Sequence, residues 1–453
     1  MERDLTKGSI AGNLIYMAMP TMLGFIAQTF YDIVDMIWIG RISAEAVAGV
    51  TIFTALFWMV EVLNEIIGTS SISLISQSYG KKDIEKTKKA IEQTITFKAI
   101  VAIIAAIILY FGMAPLLNFF TNDIAVIKNG LSYGYIRIFF LPIFFSSFSL
   151  NTALRCIGDS KKPMYIMGIS ALLNIILDPI FMFNRVPFIG IPGLGLGVFG
   201  AAVATVISIT VACSLGFWIF LSGRTDIRIS IKGLFKLDRE LDKKLITIGL
   251  PSGFENLLRN LSGFLVIKMI GLYGTAAVAA MGIGHRLMGL IFMPLLGFSM
   301  GGSTIVGQNL GALDIDRADK TAKTAAKLCA AIAGACGLFA IAFPAQIMKI
   351  FVDDKDVIDI GIPMIRIIMP GMIALGVLFG LGTVFSGSGY NLPFFVSSLV
   401  SRWIVQVPLL LLVVYVFRLP IEMIWISFVV AEVAEMIVVI IFYIKGKWKI
   451  VRV

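Results

Sequence analysis

Twelve runs of mostly apolar residues follow one another along this chain, at about 12–38, 49–76, 93–113, 131–155, 164–184, 194–221, 245–271, 278–307, 322–344, 361–385, 394–416 and 421–444. A helix needs roughly 20 such residues to cross a bilayer. Buried helices of a water-soluble core would need polar sequence to cover them, and the longest polar gap is only 222–244. In hydrocarbon every backbone group must be satisfied within the segment. The pattern therefore predicts an all-α integral membrane protein of twelve transmembrane helices. Of the residues, 58% are hydrophobic and 15% charged, against roughly 45–50% and about 25% in soluble domains.

The charge that remains is placed like a membrane protein's. The net charge is +10, but Lys and Arg cluster in short gaps between apolar runs and form no separate basic domain. That points to a lipid surface, not to nucleic acid. With the N-terminus inside, internal segments carry 25 Lys and Arg and external loops 6. Both termini are then expected in the cytoplasm of a multi-pass cell-membrane protein. The first residues read as a retained tail, since they mix acidic and basic residues and lack a small-residue cleavage site. Cys156, Cys213, Cys329 and Cys336 show no C-x-x-C spacing, and His285 is the single histidine. A disulfide framework, a zinc site and a multi-histidine metal site are not expected. A membrane-embedded enzyme would need a nucleophile–base pair or a metal cluster, so neither catalysis nor a cofactor is expected.

The chain repeats itself. Pro20 pairs with Pro251 at an offset of 231, and at that offset Gly40 pairs with Gly271, Gln77 with Gln308, Gly80 with Gly311, Asp123 with Asp354 and Gly130 with Gly361. Pro163 pairs with Pro393 at 230. Six spans per half means that both halves enter from the same side. The expected architecture is two six-helix bundles related by a pseudo-two-fold along the membrane normal. The first lobe takes residues 1–221, a cytoplasmic linker 222–244, and the second lobe 245–453. Duplicated halves around a midplane cavity are a transporter design.

The halves differ in their intramembrane acids. The first carries Asp32, Asp35, Glu61, Glu65 and Asp178, where the repeat partners Val266, Phe292, Leu296 and about Pro408 are apolar. A charge at a helix centre costs about 2.5–3.5 kcal/mol on insertion scales, so several in one bundle call for protons, partners or a bound cation. Asp32 and Asp35 share a helix face, with Tyr31 and Gln28 one and two turns before Asp35. Asn174 and Asp178 share another, followed by Pro179, which cannot donate to the carbonyl one turn back. These oxygens suit a cation. Close carboxylates in low dielectric can equally share a proton, so the spacing does not choose between Na⁺ and H⁺. Glu61 and Glu65, four apart, are expected to relay ions, line a cavity or pair with a base. Glu255 and Arg259, also four apart, are placed for an ion pair or for contact with a cationic substrate. Lys268, His285, Arg286 and Arg402 fall near span ends, where snorkelling is expected. Glu432 and Glu435 have no obvious partners. Met36, Met281, Met288 and Met293 are candidates for an adaptable apolar cavity wall.

Several segments resemble one known family. "MAMPTMLGFIAQTFYDIVDMIWIG" contains Pro20, Asp35 and Gly40 in the spacing of the first helix of the multidrug and toxic compound extrusion (MATE) family. "SQSYG" and "GQNLG" resemble its paired Gln-x-x-Gly helix ends, "LRCIGDSKKPMY" its Arg-x-x-Gly-Asp-x-x-x-Pro loop, and "LNIILDPIF" its fifth-helix signature. The resemblance implies a secondary antiporter with two six-helix lobes, exporting organic cations against inward Na⁺ or H⁺ by alternating access, as a monomer. It implies a first-lobe ion site at Asp35, Asn174 and Asp178, with Thr205 from the sixth span and Tyr133 or Tyr135 from the fourth. These oxygens would ligate Na⁺ if sodium is the coupling ion. Gln28, Asp32, Glu61, Glu65 and Glu255 are the possible relay or cavity residues, and Pro20 the hinge that ion binding would reshape. Position 32 is commonly Asn in the family and is Asp here. A NorM-like branch instead uses second-lobe acids, including the tenth span, but run 361–385 holds no Asp or Glu. A lipid-linked precursor flippase of related fold is the alternative. It would need a larger cationic groove, whereas the first-half cavity is expected to be acidic.

Overall fold

All twelve runs fold as helix in the computed structural model, which describes residues 3–451 and 453. The helices are α1 (Ile10–Gly40), α2 (Ala44–Gly80), α3 (Ile84–Phe120), α4 (Ile124–Phe139), α5 (Leu141–Cys156), α6 (Lys161–Met182), α7 (Gly197–Leu221), the single turn α8 (Ile231–Leu234), α9 (Arg239–Gly271), α10 (Thr275–Gly311), α11 (Ile315–Ala342), α12 (Pro344–Phe351), α13 (Lys355–Ile368), α14 (Gly371–Ser388), α15 (Leu392–Val416) and α16 (Glu422–Lys445). Among the described residues no strand forms. Ten of these helices are long and apolar enough to cross a membrane, eleven if α4 and α5 count as one span. The run at 245–271 is helical, as α9, but Glu255, Asn256, Arg259 and Asn260 dilute its apolar character.

Two expected spans are broken, each at a proline. Run 131–155 bends by 56° between α4 and α5, where Pro142 stands in the first turn of α5. Run 361–385 parts into α13 and α14 around Met369 and Pro370. Proline disfavours helical geometry in the residue before it and removes a backbone donor. The helices also need lipid. Only 28% of the most apolar stretch of α3 is buried, and Ile103, Ile107, Ile108 and Phe111 project outward from it.

The chain divides into two compact units: residues 23–71 and 83–246 with the N-terminal tip, and residues 4–22, 72–82 and 247–453. α1 passes from the second to the first between Met22 and Leu23, one turn after Pro20. In the first unit Phe53, Phe57, Met113, Leu117, Tyr133 and Phe145 form the core. The segment 222–244 is strapped to α3 there. The Glu92 carboxylate accepts from the Ser230 amide at 2.7 Å and hydroxyl at 3.0 Å, and Gln93 accepts from the Asp238 amide at 2.9 Å. In the second unit Leu14 and Met17 join Phe298, Ile305, Cys329, Met364 and Trp425.

The repeated Gln-x-x-Gly ends meet inside the second unit. A Cβ on Gly80 would lie 2.0 Å from the Gln308 carbonyl oxygen, and one on Gly311 would lie 2.1 Å from that of Gln77. Each glycine thus seats the glutamine of the other repeat copy, so the ends of α2 and α10 cross symmetrically at backbone distance. The Gln77 side chain then donates to the Gly387 and Ser388 carbonyls at 3.0 and 3.1 Å. Gly80→Ala or Gly311→Ala should force these helices apart and cost about 1–3 kcal/mol, read as a lower thermal midpoint in detergent. Gly112→Ala, with nothing within 4 Å of the new methyl, should be neutral or stabilising.

Candidate ion site and substrate cavity

Three helices of the first unit bring oxygen atoms together in a buried layer. Asp35 projects from α1 and is 7% exposed, and Asn174 and Asp178 on α6 and Thr205 on α7 are buried. Four-residue spacing puts Asn174 and Asp178 on one face, and the Asn174 amide donates to Asp178 Oδ1 at 3.2 Å and to Thr205 Oγ1 at 3.3 Å. Thr205 in turn donates to the Ala201 carbonyl one turn back, at 3.0 Å. From α4 the Tyr133 hydroxyl donates to Asp35 Oδ2 at 3.3 Å. Asp35 is close enough for its charge to act on Asp178.

Asp35 Oδ1, Asn174 Oδ1 and Asp178 Oδ2 are buried without a hydrogen-bond partner among the described residues. Orphaned acceptors are costly in low dielectric. Here all three are oxygens, and two belong to carboxylates. Such a set suits a hard monovalent cation or a proton. Among the described residues no cluster of three or more His, Cys, Asp or Glu could hold a metal ion.

Arg137, not singled out from the sequence, completes this layer. Its guanidinium donates to the Tyr133 hydroxyl at 3.1 Å and lies over the Phe57 ring, 4.9 Å from its centre. Arg137 stands four residues after Tyr133, so helical spacing alone could have flagged the pair. Tyr135, the alternative to Tyr133, packs against Tyr110 instead, its ring tilted 45° at a centroid distance of 4.9 Å.

Asp32 is exposed yet beside the same layer, within reach of the charges of Asp35 and Arg137 and of the Tyr31 side chain. The other candidates fall elsewhere. Glu61 accepts from Asn64 at 2.8 Å. It and Glu65 act on Lys98, a fully buried lysine of α3 whose ammonium has no hydrogen-bond partner and lies 4.7 Å from the Phe148 ring centre. Glu255 is paired with Arg259 at 2.9 Å, and Arg259 reaches Glu435 at 2.7 Å. The expected snorkelling of Arg402 is corrected. Arg402 is 7% exposed and bridges Glu432 at 2.5 Å and Glu435 at 3.4 Å. Those two glutamates therefore have partners. A π-helical stretch, Leu399–Gln406, turns Ser401 and Arg402 toward them.

A cavity of about 80 Å³ lies in the first unit, walled by Phe25, Tyr31, Phe144 and Phe148 with Gln28, Asn151 and Arg155 among its polar groups. Gln28, read from sequence as a relay or cavity residue, is part of this wall. The expectation of an acidic cavity is corrected, because this lining contains no Asp or Glu and one arginine. Helical periodicity shows which residues share a face, not which face meets the cavity.

The internal duplication has a counterpart among known proteins. Residues 20–180 and, separately, 251–412 match the MatE family profile. This chain belongs to the MatE family. Similar MatE relatives include the probable multidrug resistance protein YoeA of Bacillus subtilis, 27% identical over 98% of this chain and 95% of that one. The probable multidrug resistance protein NorM of Thermotoga maritima is 26% identical over 97% and 93%. Among solved structures, a MATE protein in its bent conformation superposes with a TM-score of 0.89 at 22% identity, covering 97% of this chain and 96% of that one. An outward-facing multidrug resistance MATE transporter of the MOP superfamily gives 0.86 at 23% identity, covering 97% of each. The chain therefore has the all-helical membrane-transporter fold of the MatE family, and its relatives point to multidrug export rather than to a lipid-linked precursor flippase.

Proposed function

We propose that this chain is a cation-coupled secondary antiporter that exports drugs, organic cations among them, by alternating access. The observation that carries the reading is the trio of buried, unpartnered oxygens on Asp35, Asn174 and Asp178. A Na⁺ ion or a proton arriving there neutralises charge that the bilayer interior penalises. Asp35, Asn174, Asp178 and Thr205 would hold Na⁺, with Tyr133 and Arg137 orienting Asp35. A travelling ion favours whichever conformation gathers these oxygens, and a bound drug favours another, so each weakens the other's binding. α1 links the two events, since Asp35 and the cavity residues Phe25, Gln28 and Tyr31 share it. Pro20 supplies the hinge. Membrane insertion with both termini in the cytoplasm is part of the same reading, and the relatives' multidrug resistance supports the cargo class.

The test is efflux of a fluorescent organic cation from proteoliposomes under separately imposed Na⁺ and pH gradients. The reading expects an inward gradient of one ion to accelerate export, and equal export with both gradients collapsed would refute coupling.

A further inference from the structure

The segment 222–244 turns its apolar side chains inward at first and then outward. Ile227 and Ile229 are buried, with Arg224 and Arg228 exposed between and before them. From α8 onward the pattern reverses. Ile231 is 62% exposed, Phe235 85% and Leu237 59%. Ile231 and Phe235 are four residues apart, as are Lys232 and Lys236, so an apolar pair and a basic pair lie side by side. The segment holds seven Lys and Arg against four Asp and Glu. Of those acids, Asp238 pairs with Lys89 of α3 and Glu240 with Lys244. Lys232, Lys236 and Arg239 are exposed and enter no ion pair among the described residues.

The anchoring on α3 sets the depth of this patch. Besides the bonds from Ser230 and Asp238 to Glu92 and Gln93, the Gln93 amide donates to the Lys236 carbonyl, and the Thr96 hydroxyl to that of Leu234 at 2.5 Å. These anchors stand where the apolar run of α3 begins, at about residue 93. Near the end of α7, Trp218 is 47% exposed and carries the Arg224 guanidinium 3.8 Å from its ring centre. Tryptophan beside a cation is the usual marker of a membrane–water boundary. Two spans thus place Ile231, Phe235 and Leu237 at the edge of the hydrocarbon, where lipid covers apolar groups that water would penalise. We propose that residues 231–239 form a foot in the bilayer interface that binds anionic phospholipid, with the three apolar side chains among the acyl chains and Lys232, Lys236 and Arg239 on the phosphate of the head group. The inference goes beyond the export reading and does not depend on which ion is coupled.

An environment-sensitive dye on Leu237→Cys, with the exposed Cys336 replaced by Ser, reports lipid at the foot, since the other three cysteines are buried. Phosphatidylglycerol or phosphatidylcholine is titrated into the full-length protein in detergent at low salt. Phosphatidylglycerol should shift the emission to the blue with a midpoint on the order of tenfold lower than phosphatidylcholine, and high salt should narrow that gap. Replacing Lys232, Lys236 and Arg239 together by Gln should erase the gap, whereas Lys232→Arg with Lys236→Arg should keep it. Phe235→Ser should weaken both lipids alike. Equal midpoints before any charge is removed, no blue shift with either lipid, or a preference that survives the triple Gln substitution overturns the proposal. If the triple variant fails to fold, the comparison of the two lipids on the protein with its charges intact decides alone. Gradient-driven efflux judges coupling independently, so this inference and the export reading fail separately.

Discussion

Replacing Asp35 or Asp178 by Asn is expected to lower gradient-driven export about 100-fold, the upper range of a coupling free energy between two sites, while the protein still inserts. The amide keeps the size of the side chain and removes the charge that a travelling ion would neutralise. The same substitutions should leave the thermal midpoint unchanged or raise it, because a neutral amide is cheaper to bury than an unpaired carboxylate. This combination separates the two explanations for the buried acids. Were Asp35 and Asp178 structural, their loss would lower the midpoint along with transport. The unpartnered oxygens on both residues argue that they do not hold the fold together.

The second unit should respond in the opposite way. Among the described residues, Arg402→Met removes the only cation paired with Glu432 and one of two paired with Glu435. Breaking a buried pair from one side costs about 3–5 kcal/mol, since it strands the other charge. The midpoint should fall on the order of 10 °C. The double substitution Arg402→Met with Glu432→Gln should recover part of the loss, because the stranded carboxylate is gone. Melting curves of the two variants in detergent check this. No recovery would mean that Arg402 acts by packing, not through its pairs.

The contrast between the units explains what the sequence made legible. Helices followed from twelve apolar runs, because a bilayer admits few alternatives. Within one helix, spacing was enough to join Asn174 to Asp178 and Glu255 to Arg259, since residues four apart share a face. Arg137 lay open to the same rule, four residues after Tyr133. Contacts between helices were another matter. Lys98 belongs to α3 and its acids to α2, and no local pattern connects them. Arg402 looked like a snorkelling span end because the π-helical stretch that turns it inward has no periodic signature in an apolar run. The breaks at Pro142 and Pro370 were hidden for a related reason: hydropathy averages over a bend. The cavity was misjudged because acids such as Asp32 and Glu61 were counted by depth along the helix, and depth does not say which side chains line a pocket.

The central claim is that the orphaned oxygens of Asp35, Asn174 and Asp178 carry the coupling ion. Its most direct test runs the exchange backwards in proteoliposomes, with no ion gradient imposed and a substrate gradient as the only driving force. Substrate flowing down its gradient should drive Na⁺ or H⁺ the other way, and that ion current should vanish in Asp178→Asn. Substrate movement with no countercurrent in the unsubstituted protein, or a countercurrent that survives Asp178→Asn, would contradict the account.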